Sequence, residues 1–116
     1  MLVYRVETKK FGWGPYCYNG YDGPKLRQPK IDTGSRSNRP MAYDDGIGRY
    51  PDDHRFGFLS PKLLKKWFLS KDRKELKKSG FVCNVYRVPK KDVVIGRKQL
   101  VFDKKKIKFI RKSRAI

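Results

Sequence analysis

The stretch Gly80–Lys112 constrains the fold more than any other part of the chain, because short apolar runs alternate there with turn residues and lysines. The apolar runs are Phe81–Val88, Val93–Ile95, Leu100–Phe102 and Ile107–Ile110. Short runs rich in β-branched residues, separated by Pro, Gly and charged clusters, are typical of consecutive strands joined by turns. The stretch therefore predicts a mainly antiparallel sheet whose outer face and edges carry Lys and Arg. The first run is apolar on both faces, which predicts a central strand.

The segment before this stretch predicts a helix. Ser60 is a favourable N-cap residue, and Pro61 suits the first helical position. The apolar residues that follow recur at helical spacing, so we expect them to face the core. They are Leu63, Leu64, Trp67 and Phe68.

A second helix is predicted over Lys71–Lys78. Ser70 is its expected N-cap, and Gly80 is its expected C-terminal cap. Leu76 is the only apolar residue within it. We therefore expect this helix to lie on the surface and to present its lysines to solvent.

The N-terminal half predicts one strand and one long loop. Leu2–Glu7 alternates and is rich in β-formers, which predicts a strand. Arg5 within it is either an outward edge charge, which we favour slightly, or a donor that faces a ligand. Residues 18–55 are poor in aliphatic side chains, and irregular loops of this length are usually functional or partly disordered. Most acids of the first half lie in this loop, and we interpret them as packing against the basic second half.

The order of these elements predicts one α+β domain over residues 1–116. It contains a small, mainly antiparallel sheet, one or two helices and the long irregular loop. Residues 111–116 are expected to form a basic tail.

The positive charge is concentrated in the second half of the chain. The net charge is +19, and residues 59–116 hold twenty Lys and Arg against four acids. Surplus charge of this size predicts a polyanionic partner: nucleic acid, a nucleoprotein complex or an acidic host protein surface. The alternative is a basic surface that is exposed to solvent and binds no partner. The expected contact residues are Lys74, Lys77, Lys78, Lys90, Lys91, Lys104, Lys105, Lys106 and Lys108.

Nucleic-acid binding would combine phosphate contacts with base stacking. Lysine exceeds arginine in the second half, which favours non-specific phosphate contacts over bidentate reading of bases. The aromatic residues expected to stack on bases are Trp13, Tyr16, Tyr86 and Phe109. No established RNA- or DNA-binding motif is present.

Several other classes of function lack their signatures. The sequence has no Ser/His/Asp arrangement, P-loop or dinucleotide-binding glycine pattern. His54 is the only histidine and has no second ligand at a suitable spacing, so we expect neither a metal nor a cofactor. No apolar run is long enough to cross a bilayer, so no membrane partner is expected. Cys17 and Cys83 lie far apart, which favours two free thiols in a reducing cytoplasm over a disulfide.

The order of three segments resembles that of a small ADP-ribosyltransferase, in its poly(ADP-ribose)-polymerase-like form. The segments are Tyr4-Arg5-Val6, Phe56–Ser60, and Lys98–Asp103 followed by Ile107–Ile110. The resemblance implies that NAD would be the cofactor. It implies that the nucleotide would be bound by Arg5, Ser60 and Gln99. Lys98 or Gln99 stands where that family has its catalytic glutamate, so the resemblance implies binding rather than transfer, and no catalytic residue is assigned.

The chain also resembles small bacteriophage proteins through the pattern YRV…GPY…FGF.S…WF…GF.V.VY. This resemblance implies a phage effector in the cytoplasm of a bacterial host. The favoured prediction is a small basic binding protein that engages nucleic acid or a host nucleoprotein complex. Two alternatives remain: an ADP-ribosyltransferase-like or nucleotide-binding protein, and an inhibitor that docks on an acidic host protein.

Overall fold

The computed structural model describes residues 1–9, 12, 14–15, 45–48 and 54–116. The predicted α+β class is confirmed, with two helices and antiparallel strands. The strands are β1 (Leu2–Thr8), β2 (His54–Gly57), β3 (Phe81–Arg87), β4 (Val93–Ile95), β5 (Leu100–Asp103) and β6 (Lys108–Ser113). The helices are α1 (Pro61–Trp67) and α2 (Ser70–Lys78). Two short 3₁₀ turns, Lys90–Asp92 and Lys104–Lys106, precede β4 and β6.

The strands form two three-stranded sheets where the sequence predicts one. The first sheet has the order β1-β3-β6 and the second β2-β5-β4, and every pairing is antiparallel. The two sheets meet at an isolated bridge, where the backbone N–H groups of Tyr4 and Phe58 each donate to the other's carbonyl at 2.8 Å. Alternating apolar runs fix the faces of a strand but not its neighbour, so the sequence pattern does not reveal this division.

One face of the first sheet packs against the two helices. Val85 and Cys83 are buried on this face, and β3 lies between β1 and β6, as predicted for a central strand. Leu64 of α1 and Leu76 of α2 are fully buried against the sheet. Phe58 joins this core, with its ring centroid 5.7 Å from that of Trp67. The predicted apolar stripe of α1 and the single anchor of α2 are thus confirmed.

The opposite face of the first sheet packs against the second sheet. Val3, Val88, Leu100 and Phe102 form this smaller core and are fully buried. Close packing of β2 against β1 requires Gly57, because a Cβ there would lie 2.5 Å from a methyl group of Val3.

The helix ends follow the sequence with one exception. The Ser60 hydroxyl accepts a hydrogen bond from the Leu63 N–H at 3.2 Å, which confirms the predicted cap of α1. The predicted cap of α2 is wrong: Leu69 occupies the N-cap position, and Ser70 is the first helical residue. Leu69 has an extended backbone, and its carbonyl accepts the first helical hydrogen bond of α2. Gly80 follows α2 with φ of +86°, a conformation that favours glycine at this position.

Cys83 is a free thiol within the helix-side core. Burial raises its pKa to about 11, so the thiol stays protonated and unreactive near neutral pH. The other cysteine, Cys17, lies outside the described residues.

Two predicted boundaries are wrong. His54 and Arg55, assigned to the long loop, lie in β2, where they pair with Asp103 and Phe102 of β5. Residues 111–113, assigned to a basic tail, belong to β6 and pair with β3. In both places the strand gains its backbone partners from a distant segment, which local composition does not show. Most of the predicted loop lies outside the described residues.

Asp45 joins the predicted loop region to the basic second half. The fully buried carboxylate accepts hydrogen bonds from the N–H groups of Lys98 at 3.0 Å and Gln99 at 2.9 Å. The Asp45 carbonyl accepts a third bond, from the Arg97 N–H. A Cβ at Gly96 would lie 2.4 Å from the Asp45 carboxylate, so glycine is needed for this approach. For Asp45, the predicted packing of a loop acid against the second half is confirmed.

We predict that Asp45→Ala lowers the free energy of unfolding by about 1–3 kcal/mol, because it leaves buried N–H groups without acceptors. Asp45→Asn keeps one acceptor oxygen and should cost less. Urea unfolding followed by tryptophan fluorescence measures both values. Equal stability of Asp45→Ala and the unaltered protein would contradict this role.

Candidate functional site

Strand register brings the two 3₁₀ turns to the same end of the fold. Arg87 at the end of β3 lies opposite Lys108 at the start of β6. Val93 at the start of β4 lies opposite Phe102 in β5, close to the second turn. Each turn directly adjoins one of these paired ends. We call the seven exposed cations gathered here the basic cluster: Arg87, Lys90, Lys91, Lys104, Lys105, Lys106 and Lys108.

The nine lysines predicted from the sequence are all exposed but fall into two groups. Six belong to the basic cluster. Lys74, Lys77 and Lys78 lie instead on α2, which ends beside Phe81 at the start of β3. A strand of seven residues spans roughly 20 Å, so the last turn of α2 and the basic cluster adjoin opposite ends of β3. The α2 lysines therefore form a separate patch.

A row of aromatic rings leads inward from the basic cluster. Phe109 of β6 is 52% exposed and meets Tyr86 edge to face, with ring centroids 6.0 Å apart. Tyr86 in turn lies 6.4 Å from Phe102 of β5. Two of the four aromatic residues expected to stack on bases are thus in contact beside the cluster. Trp13 and Tyr16 lie outside the described residues.

Two of these rings, Tyr86 and Phe102, line a pocket of about 300 Å³ between the two sheets. Lys104 of the basic cluster contributes to its wall, so the pocket adjoins the basic surface. Charged and aromatic side chains dominate the lining, chiefly Arg5, Glu7, Arg55, Tyr86, Phe102 and Lys104.

The Glu7 carboxylate is buried at this pocket and accepts hydrogen bonds from three side chains. Arg5 Nε donates to one carboxylate oxygen at 2.8 Å. Asn84 Nδ2 donates to the other at 2.6 Å, and the Tyr86 hydroxyl donates to the same oxygen. Burial, together with this bond to Glu7, raises the pKa of Tyr86, so the phenol remains a donor. The Glu7 carboxylate is therefore fixed in position by neighbours on β1 and β3.

Arg5 is fixed as firmly as Glu7. Its two terminal nitrogens donate to the carbonyls of Phe56 at 2.8 Å and Gly12 at 3.1 Å. Burial lowers the pKa of Arg5, and the charge of Glu7 opposes that change. Arg5 is only 5% exposed, so the favoured interpretation of an outward edge charge is wrong.

The three residues assigned to a nucleotide by the ADP-ribosyltransferase resemblance do not meet in this pocket. Arg5 lines it, whereas Ser60 and Gln99 are not among its lining residues. The Ser60 hydroxyl caps α1, and Gln99 is buried beside Asp45.

Sequence reasoning missed Glu7 and Asn84 as members of this site. One signal was available, because Arg5 and Glu7 are two residues apart in a strand and so share a face. Two opposite charges on one face of an otherwise apolar strand indicate a buried pair. Nothing local indicates Asn84, which reaches Glu7 through the pairing of β1 with β3.

Within the described ranges, no group of three or more His, Cys, Asp or Glu side chains is arranged to hold a metal ion. None of the helices in those ranges is long and apolar enough to cross a membrane.

We predict that Arg5→Ala lowers the free energy of unfolding by about 3–5 kcal/mol, since it leaves the buried Glu7 carboxylate without its counter-charge. Arg87→Ala is the matched control, because Arg87 is exposed and its loss should change stability by about 0.5 kcal/mol or less. Chemical unfolding measures both. Similar small losses in the two variants would show that the buried pair does not organise the fold.

Comparison with known proteins places the chain among bacteriophage proteins. A family model described as "Bacteriophage T4 Y00F protein" matches residues 1–115. A relative from Enterobacteria phage T4, the "Uncharacterized 19.7 kDa protein in motB-dexA intergenic region", is 41% identical over 51 residues. This match covers 44% of the chain and 31% of the relative, so it spans under a third of the relative's length. No solved structure matches the chain.

These matches confirm the resemblance to small bacteriophage proteins. Neither match lends support to the ADP-ribosyltransferase-like order of elements.

Proposed function

The chain belongs to the Bacteriophage T4 Y00F protein family, and we propose that it binds single-stranded nucleic acid, free or within a nucleoprotein complex, inside the infected bacterium. The observation that carries this proposal is the basic cluster beside the exposed ring of Phe109. Proteins that bind single strands combine a positive surface that follows the backbone with aromatic rings on which bases stack. Both parts occur together at this end of the fold.

The composition of the basic cluster favours contacts with the phosphates of a nucleic acid over recognition of specific bases. Six of its seven cations are lysines. A lysine ammonium binds phosphate as a point charge, whereas bidentate recognition of bases relies on the planar guanidinium of arginine. The Asp103 side chain accepts a hydrogen bond from the Lys105 backbone N–H at 2.9 Å, which stabilises the second turn. The cluster is therefore suited to binding without strong sequence preference.

The exposed strand β6 supports a second candidate, an acidic protein partner. It lies at the edge of the first sheet, with Lys108, Phe109 and Ile110 exposed. An edge strand offers backbone groups to which an extended segment of another protein can add. Its positive charge would select an acidic segment. Saturable one-to-one capture of one host protein, with no affinity for nucleic acid, would favour this candidate.

We predict that reversing Lys104–Lys106 to glutamate weakens binding to a labelled single strand by roughly 100-fold, because phosphate contacts become repulsions. Reversing Lys74, Lys77 and Lys78 is the matched control, since it changes the net charge equally on the separate α2 patch. Fluorescence anisotropy measures both affinities, and circular dichroism verifies folding. Equal losses would show that net charge alone governs binding and would overturn the assignment to the basic cluster.

Phe109→Ala tests the aromatic half of the proposal. Loss of one stacked base costs about 1–3 kcal/mol, so affinity for a single strand should fall by about 5- to 150-fold. Affinity for a duplex, whose bases are already stacked, should change little. The same small change for both ligands would contradict stacking on this ring.

A further inference from the structure

Among the residues that the structure describes, the charges that line the pocket between the sheets do not balance. Three cations, Arg5, Arg55 and Lys104, share it with one carboxylate, Glu7. The ion pair of Arg5 and Glu7 cancels one of each sign. Two positive charges remain, on Arg55 and Lys104, at the wall of a space large enough to hold a small ligand.

Among the described residues, no carboxylate forms an ion pair with Arg55 or Lys104 as Glu7 does with Arg5. Arg5 is held by Glu7 and by two backbone carbonyls, so it contributes a fixed charge. Arg55 is half-buried in β2, and its positive charge repels that of Arg5, which contributes to lowering the pKa of Arg5. Lys104 is exposed and belongs to the basic cluster. A bound anion would relieve the repulsion among these like charges.

We propose that this pocket binds the phosphate monoester of a nucleotide, either as the phosphorylated end of a nucleic-acid strand or as a free mononucleotide. Arg55 and Lys104 contact the phosphate, and the Tyr86 side of the pocket contacts the sugar or base. The strand-end form rests on the function proposed above, whereas the phosphate site itself does not depend on it.

The charge and size of the pocket favour a terminal phosphate over an internal one. A phosphate monoester carries about −1.5 to −2 near neutral pH, which matches the two remaining cations, whereas an internal phosphodiester carries a single charge. The volume of about 300 Å³ is at the lower end for ligand pockets, so it suits one nucleotide rather than several. The rings of Tyr86 and Phe102 and the side chain of Ile107 supply apolar parts of the lining.

The position of the pocket connects it to the proposed strand-binding surface. Lys104 belongs to both the pocket and the basic cluster. Tyr86 lies in the pocket and contacts the exposed Phe109. A strand that follows the basic cluster and stacks on Phe109 can therefore place its terminal nucleotide between the sheets.

The first experiment titrates the full-length, ¹⁵N-labelled chain with 5′-AMP, adenosine and inorganic phosphate. We expect 5′-AMP to shift the amide signals of Arg5, Glu7, Arg55 and Tyr86 saturably. Adenosine should act at least about tenfold more weakly, because it lacks the charged group. If inorganic phosphate bound as tightly as 5′-AMP, the contact with sugar or base would be overturned.

The second experiment compares labelled single strands that carry a 5′-phosphate, a 3′-phosphate or neither. We expect one phosphorylated end to raise affinity by about tenfold. Arg55→Gln should abolish this gain and leave the affinity for the unphosphorylated strand nearly unchanged. Lys62→Gln, which removes an equal charge from an exposed position on α1, should retain the gain. Lys104→Gln provides a second pocket variant, and thermal unfolding verifies that each variant is folded.

The outcomes separate the pocket from the wider function. Saturable 5′-AMP binding that Arg55→Gln removes supports the phosphate site, and equal affinities of all three strands would then assign it to free mononucleotides. The phosphate site is overturned if strands bind in a salt-dependent way but 5′-AMP shifts no pocket amide signal, a terminal phosphate does not raise affinity, and Arg55→Gln has no effect. The proposed function would then still stand. Failure of every strand to bind overturns the proposed function, and the 5′-AMP titration alone then decides the pocket.

Discussion

The buried ion pair of Arg5 and Glu7 is the interaction on which the arrangement of the two sheets depends. Arg5 joins β1 to the end of β2 through the Phe56 carbonyl, and Glu7 joins β1 to β3 through Asn84 and Tyr86. A buried charge left without its partner is costly, so these contacts tolerate little displacement. The pair consequently fixes β1 relative to β2 and β3, and both of its residues line the pocket. The same interaction that holds the fold together also sets the electrostatics of the candidate site.

The pairing of strand ends, rather than proximity in the sequence, determines which positive charges lie together. Antiparallel pairing of β3 with β6 and of β4 with β5 brings two separate segments, 87–91 and 104–108, together in the basic cluster. Concentrated like charges destabilise a compact state, and a polyanionic partner would remove that cost. Under the proposed function, the exposed Phe109 would add stacking on bases, and the pocket beside Lys104 would add phosphate recognition. Together these features support a binding surface at one end of the molecule.

Local sequence patterns predicted the individual helices and strands better than they predicted which strands pair with each other. The α1 stripe, the Ser60 cap and the central β3 follow from spacing and residue type, because such features depend on near neighbours in the chain. The Ser70 cap was wrong, since the backbone conformation of Leu69 decides where α2 begins. Division into two sheets and the contacts of Glu7 depend on pairing between distant strands, which composition does not encode. For the same reason the sequence did not show that the nine expected contact lysines fall into two groups.

The most direct test of the central claim is the salt dependence of affinity for a labelled single strand, measured by fluorescence anisotropy at several salt concentrations. Each phosphate contact contributes about −0.7 to the slope of log affinity against log salt for single strands. If four or more cations of the basic cluster contact phosphates, the plot should be linear with a slope of about −3 or steeper. Undetectable binding at low salt, or affinity that does not change with salt, would contradict the claim that the basic cluster binds nucleic acid.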